Sequence, residues 1–139
     1  MKKDIDLTRL FLIFNHKLTN DQIKSARDQL NIDNFIYLPD ELQKIWNTIN
    51  PEGILEMENL KMITDWMKSE TVKSDYILIQ GDFGATFYLV DFCFKNDLVP
   101  IYATTIREVI EKTEDNGTVK KTNVFKHINF RIYERWKDE

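Results

Sequence analysis

The sequence predicts an α/β protein: a Rossmann-like, mainly parallel sheet flanked by helices, with a C-terminal β-hairpin and a final strand. Three observations predict it. The runs Leu10-Phe11-Leu12-Ile13-Phe14 and Tyr76-Ile77-Leu78-Ile79 are continuously apolar, as strands covered on both faces are. Segments with apolar residues at helical spacing alternate with such runs. A glycine-bearing turn, Gln80-Gly81-Asp82-Phe83-Gly84, joins the second of these runs to an apolar helical stretch.

Taken in order, the first strand ends at Asn15-His16. Thr19 and Gln22 have capping-box spacing, and Ile23, Ala26 and Leu30 fall on one helical face, with Asn31 as the stop. Phe35-Ile36-Tyr37-Leu38 reads as the second strand, closed by Pro39. Asp40 and Gln43 repeat the cap spacing, and Leu42, Ile45, Trp46 and Ile49 mark the next stripe, which Pro51 and Gly53 break. Leu60, Ile63, Trp66 and Met67 form a third stripe. After the third strand and the glycine turn comes a fourth helix whose polar residues between Ala85 and Phe94 are Thr86 and Asp91. Leu98-Val99-Pro100-Ile101-Tyr102 is the fourth strand, ending at Ala103-Thr104-Thr105. Residues 106–113 read as a strand, or as a short helix capped by Thr105 and Glu108. Asp115-Asn116-Gly117 is a strong hairpin turn and favours the strand. Ile128, Phe130 and Ile132 alternate with His127, Asn129, Arg131 and Tyr133, which reads as a half-buried last strand with His127, Arg131 and Tyr133 on one face.

The 139 residues suggest one domain spanning 1–139, and 42% hydrophobic content suffices for a core. A formal net charge of −4 argues against a general duplex DNA or RNA binder, which needs a basic face to displace counterions. The single cysteine, Cys93, excludes a disulfide framework and reads as a buried thiol. The start, Met1 to Asp6, is polar and the run that follows is too short for a signal peptide or membrane span, so a cytoplasmic protein is expected. The two histidines have no metal-ligand spacing, and no Walker, HExxH, CxxC or GxSxG pattern occurs; neither metal nor cofactor is expected.

Ligands of open α/β sheets bind outside the carboxyl ends of the strands, where the winding reverses. That rule gathers Asn15, His16, the turn 80–86 and residues 104–107 on one rim. His16 can relay a proton or bond a phosphate, or be a solvated loop histidine. Gln80, Gly81 and Gly84 suit a ligand turn or a tight connection, since glycine lets the backbone approach an anion. Asp82 can orient a ribose hydroxyl or cap the helix. Phe83, Ala85 and Thr86 complete the turn. Thr104 and Thr105 offer two hydroxyls, and Arg107 offers a bidentate fork for phosphate or an ion pair with Glu108 or Glu111. The fourth helix, apolar nearly all round, must bury more than one face, under a second copy of the chain or under the helix preceding the third strand.

Several segments together carry a family resemblance: Leu10 to Thr19, Leu38 to Trp46, Ile77 to Thr86, Pro100 to Thr105 and Phe125 to Glu134. The chain resembles the Csx family numbered twenty, an accessory of type III CRISPR systems, over nearly its whole length. The resemblance implies a stand-alone domain of the CARF type (CRISPR-associated Rossmann fold). It implies a homodimer that binds a cyclic oligoadenylate second messenger, chiefly cyclic tetra-adenylate, across its two-fold axis. It also implies metal-independent ring-nuclease activity that switches off the antiviral signal, with non-catalytic sequestration of the messenger as the alternative. On that reading His16 transfers a proton, Arg107 and the glycine-turn N–H groups stabilise phosphoryl charge, and Thr104 or Thr105 positions ribose or phosphate. Family-type sequences often carry serine where this chain has Asn15, which keeps a short polar group but no hydroxyl.

Overall fold

In the computed structural model, which describes residues 8–136, five strands form one mixed sheet flanked by helices. The elements are β1 (Arg9–Ile13), α1 (Asn20–Leu30), β2 (Asn34–Tyr37), α2 (Asp40–Asn47), α3 (Met57–Glu70), β3 (Tyr76–Ile79), α4 (Phe83–Lys95), β4 (Val99–Thr113) and β5 (Val119–Ile132). The strand order is β2-β1-β3-β4-β5. The first four strands run parallel, and β5 pairs antiparallel with β4. The polar start of the chain lies outside the described residues.

Because side chains alternate along a strand, the central strands feed two cores. Phe11, Ile13, Ile77 and Ile79 face α2, α3 and α4, with Trp46, Ile63, Met67 and Leu89 fully buried among them. Leu10, Leu12, Leu78, Ile101 and Phe130 face the other way, onto Ala26 of α1. One face thus carries three helices and the opposite face one. The winding reverses between β1 and β3, whose carboxyl ends lie side by side with Ile13 opposite Ile79.

Local signals explain most boundaries. Thr19 and Gln22 form the capping box, and Asn31 ends α1 in the left-handed conformation at φ 58°, which asparagine tolerates. The cap expected from Asp40 and Gln43 does not form. Pro39 stands at the cap position and Asp40 is already helical. The Gln43 amide is drawn away to donate to the Phe14 carbonyl at 2.7 Å and to Asn47 at 2.9 Å.

The C-terminal half differs from expectation in two ways. The fourth strand does not end near Thr105; β4 runs on to Thr113, and β5 is continuous from Val119 to Ile132, so hairpin and final strand are one long ribbon. Only its base joins the sheet, since β3 pairs with β4 as far as Ile101. The rest is an arm closed by the Asp115-Asn116-Gly117 turn, with Gly117 at φ 85°. Secondly, the ladder slips by one residue: Thr104 lies opposite Asn129 but Thr105 lies opposite His127, leaving Ile128 as a bulge. The extra residue turns His127 over. It shares the α1 face with Phe130 (ring centroids 4.8 Å apart), not the face of Arg131 and Tyr133.

Candidate functional site

The carboxyl ends of β1 and β3 are held by a clasp centred on Gln80. Its N–H donates to the Ile13 carbonyl at 3.1 Å. Its carbonyl accepts the Trp46 indole N–H at 3.0 Å, and its side-chain oxygen accepts the Ala103 N–H at 2.6 Å. Tyr133 adds a hydroxyl bond to the Ile79 carbonyl at 2.8 Å. Burial and the neighbouring Tyr102 push the Tyr133 pKa up, so the phenol stays protonated and keeps donating. Four strands and α2 are thereby fixed relative to one another at the edge where a ligand would sit.

Beyond the clasp the chain makes its tight turn into α4. Gly81 does not have a positive φ; what it accommodates is Trp46. A Cβ built there would lie 2.7 Å from the indole Cζ2 and 2.8 Å from Nε1. Asp82 caps α4, accepting the Ala85 N–H at 3.0 Å, so of its two readings the cap is the one formed. The Thr86 N–H is taken by the Asp82 carbonyl at 2.8 Å. Phe83 and Gly84 open the helix with N–H groups that have no intrahelical acceptor. Phe83 itself is 93% exposed, and Phe87, one turn on, is 78% exposed. Ala85 is buried, and the covered Thr86 hydroxyl has no hydrogen-bond partner among the described residues. On its inner side α4 buries Leu89, Phe92 and Cys93; α3 leaves its Phe83–Phe87 edge uncovered.

The expected rim divides into two parts. His16 and Thr105 come together in a hollow of about 500 Å³ between the β1–α1 loop, the start of α1 and the base of the arm. The glycine turn and Arg107 do not line it. Asn15 is exposed just past β1. The Thr104 hydroxyl is engaged within the ribbon: it donates to the Asn129 side-chain oxygen at 2.7 Å and accepts the Asn129 N–H at 3.2 Å, pinning the ribbon beside the bulge. Thr104 and Thr105 therefore sit within β4, opposite the bulge in β5, rather than at a strand end. Arg107 is exposed on the arm opposite Phe125 and forms no ion pair among the described residues; Glu111 pairs with Lys121 instead, at 3.6 Å.

His16 is exposed and stands edge-on to Phe14, ring centroids 5.5 Å apart. Besides His16 and Thr105 the hollow is lined by His127, Lys17, Lys126, Glu108 and Phe125, which the sequence pattern did not single out as a group. Nothing local marks His127; its place depends on the bulge and on α1. Both of its ring nitrogens are covered and make no hydrogen bond among the described residues. Desolvation pushes its pKa below the usual histidine value, opposed in part by Asp21.

Fold and site together define an α/β protein with a crossover reversal in a mixed sheet and a two-histidine hollow beside it. Among the described residues no helix is long and apolar enough to cross a membrane. The chain belongs to the Uncharacterized protein MJ1673 family, whose model matches residues 8–131. It is similar to Uncharacterized protein MJ1673 of Methanocaldococcus jannaschii, with 44% identity over 128 residues, covering 91% of this chain and 98% of the relative. No solved structure matches it.

Proposed function

We propose that the chain is a CARF-type, Rossmann-like ring nuclease: a homodimer that binds cyclic tetra-adenylate and cleaves it, without metal, to linear products ending in a 2′,3′-cyclic phosphate. The observation that carries this reading is the meeting of His16 and Thr105 in one hollow beside the β1/β3 reversal, where open α/β sheets take nucleotides. Attack of a ribose 2′-hydroxyl on the adjacent phosphorus needs in-line positioning, a proton acceptor, and donors for phosphoryl charge. On this reading His16 moves the proton, Thr105 holds a ribose or phosphate oxygen, and the N–H groups of Phe83 and Gly84 meet a second stretch of the ring. The uncovered Phe83–Phe87 edge of α4 supplies an apolar surface for the second copy, which matches a ligand with two-fold symmetry.

One observation favours sequestration without cleavage: Arg107 lies on the arm outside the hollow, away from the histidine whose chemistry it would assist. Incubating the protein with labelled cyclic tetra-adenylate and a chelator separates the two. Linear, cyclic-phosphate-ended products are expected. His16→Ala should slow single-turnover cleavage more than it weakens binding. Arg107→Ala should cost on the order of a hundredfold in rate if the arginine reaches the transition state. Intact ring with tight binding would establish the sequestering reading.

A further inference from the structure

We propose that the hollow beneath the arm is a phosphate-binding site in which His127 is the second imidazole, contacting the same phosphodiester as His16. The inference rests on the nuclease reading for its reaction, but not for its ligand chemistry. Three observations carry it. His127 and His16 line one hollow of about 500 Å³, a size that takes one nucleotide unit. Both nitrogens of His127 are covered and unpartnered among the described residues, whereas a histidine that serves only packing normally spends at least one on a protein group; a turn of the ring about its side-chain bonds brings one of them to a phosphate in the hollow. The bulge at Thr104/Thr105 places this residue on the α1 face at all.

The charges around the hollow favour an anion when the imidazoles are protonated. Lys17 from the β1–α1 loop and Lys126 from β5 are offset by Asp21 of α1 and Glu108 of β4. A shallower hollow on the other side of His127 adds Lys24 and Asp28, which pair with each other at 2.7 Å. The fixed charges cancel, so the sign of the hollow is set by the two histidines. Phe14 and Phe125 offer ring surfaces on which a base can stack.

For the cleavage step, burial lowers the His127 pKa, opposed in part by Asp21, which favours the neutral imidazole that accepts a proton. It takes the proton of the ribose 2′-hydroxyl as the 2′-oxygen bonds to phosphorus. The bond from phosphorus to the 5′-oxygen breaks, and protonated His16 gives its proton to that oxygen. The products are a 2′,3′-cyclic phosphate and a 5′-hydroxyl, and the two histidines have exchanged protonation states.

The chain has two histidines, so their NMR signals can be assigned by one substitution. The ring C–H resonances of the full chain are followed against pH, with and without inorganic phosphate. Phosphate should shift both sets and raise both pKa values, and His127→Asn should weaken the response of His16 at least tenfold. A His127 signal indifferent to phosphate overturns the proposal, and this measurement on the unmodified protein does not depend on any variant folding. Single-turnover cleavage is then read against pH: His127→Asn should remove one limb of the bell-shaped profile. A full bell in that variant overturns the role of His127 while leaving the nuclease reading intact. Phosphate shifts on both histidines with no cleavage by the unmodified protein support the site and discard the nuclease reading.

Discussion

Replacing Gly81 by alanine separates a packing role for the glycine turn from a ligand role. The added Cβ would stand 2.7 Å from Trp46 Cζ2, about 0.7 Å short of ordinary contact. Trp46 is 1% exposed and its indole N–H holds the Gln80 carbonyl at 3.0 Å, so the ring cannot retreat without loosening the clasp. Overpacking of this kind costs about 1–3 kcal/mol, and a weakened indole hydrogen bond about 1 kcal/mol more. With a urea slope of about 2 kcal/mol/M, Gly81→Ala should lower the unfolding midpoint by roughly 1–2 M. In a Trp46→Phe background, which removes the crowded edge of the indole, the same change should cost at least about 1 kcal/mol less. Gly84→Ala is the control: its Cβ meets Leu55 at 3.4 Å, and alanine is the better helix former by up to about 1 kcal/mol. An unchanged midpoint for Gly81→Ala, or equal costs in the two backgrounds, would refute the packing argument. Lost ligand binding at unchanged stability would return the glycine to the ligand.

Three further outcomes are expected. Phe87→Glu should shift the protein toward monomer in sedimentation at micromolar concentration without changing its circular dichroism; an unchanged mass would remove α4 from the interface. Asp75, 6% exposed, binds Arg9 and accepts the Val72 N–H at 2.7 Å, so Arg9→Ala should strand a buried carboxylate and cost about 3 kcal/mol in urea unfolding. Burial pushes the Cys93 thiol up to about 12 from 9.0, so its contribution is complete below pH 9. It is lost as pH rises toward 12, because the unfolded chain gives up the proton first, by up to on the order of 4 kcal/mol. Comparing unfolding midpoints of the parent and Cys93→Ala at pH 8 and pH 10.5 isolates that loss, and parallel curves would contradict it.

What the sequence made legible was what neighbouring residues decide. The apolar runs of β1 and β3, the Thr19–Gln22 box, the Asn31 stop and the Asp115-Asn116-Gly117 turn all depend on a few adjacent side chains, and all are present. Prediction failed where a distant partner decides. Gln43 had the spacing of a cap but found the Phe14 carbonyl instead. Gly81 reads locally as a ligand glycine or as part of a tight connection, and the crowding that a Cβ would meet there comes from Trp46 on another helix. His127 was assigned to the wrong face because alternation along β5 is broken by a register slip that only pairing with β4 reveals. The rim was therefore half legible: His16 and Thr105 line one hollow, Arg107 does not line it, and His127, which also lines it, reads from the sequence only as part of a strand face shared with Arg131 and Tyr133.

The bulge also makes the ribbon unequal in its tolerance of length change. β5 carries one residue more than its ladder with β4 uses, and Ile128 is that surplus. Deleting Ile128, or a residue beside it, lets the ladder close with Thr105 still opposite His127 or its replacement, and every side chain of the arm keeps its side. A deletion at the same level of β4 has no slack to draw on and must either widen the bulge or turn the outer arm over. Natural relatives and engineered variants alike should shorten the returning strand, β5, here far more readily than β4. The arm carries a one-residue reserve, held in one strand only.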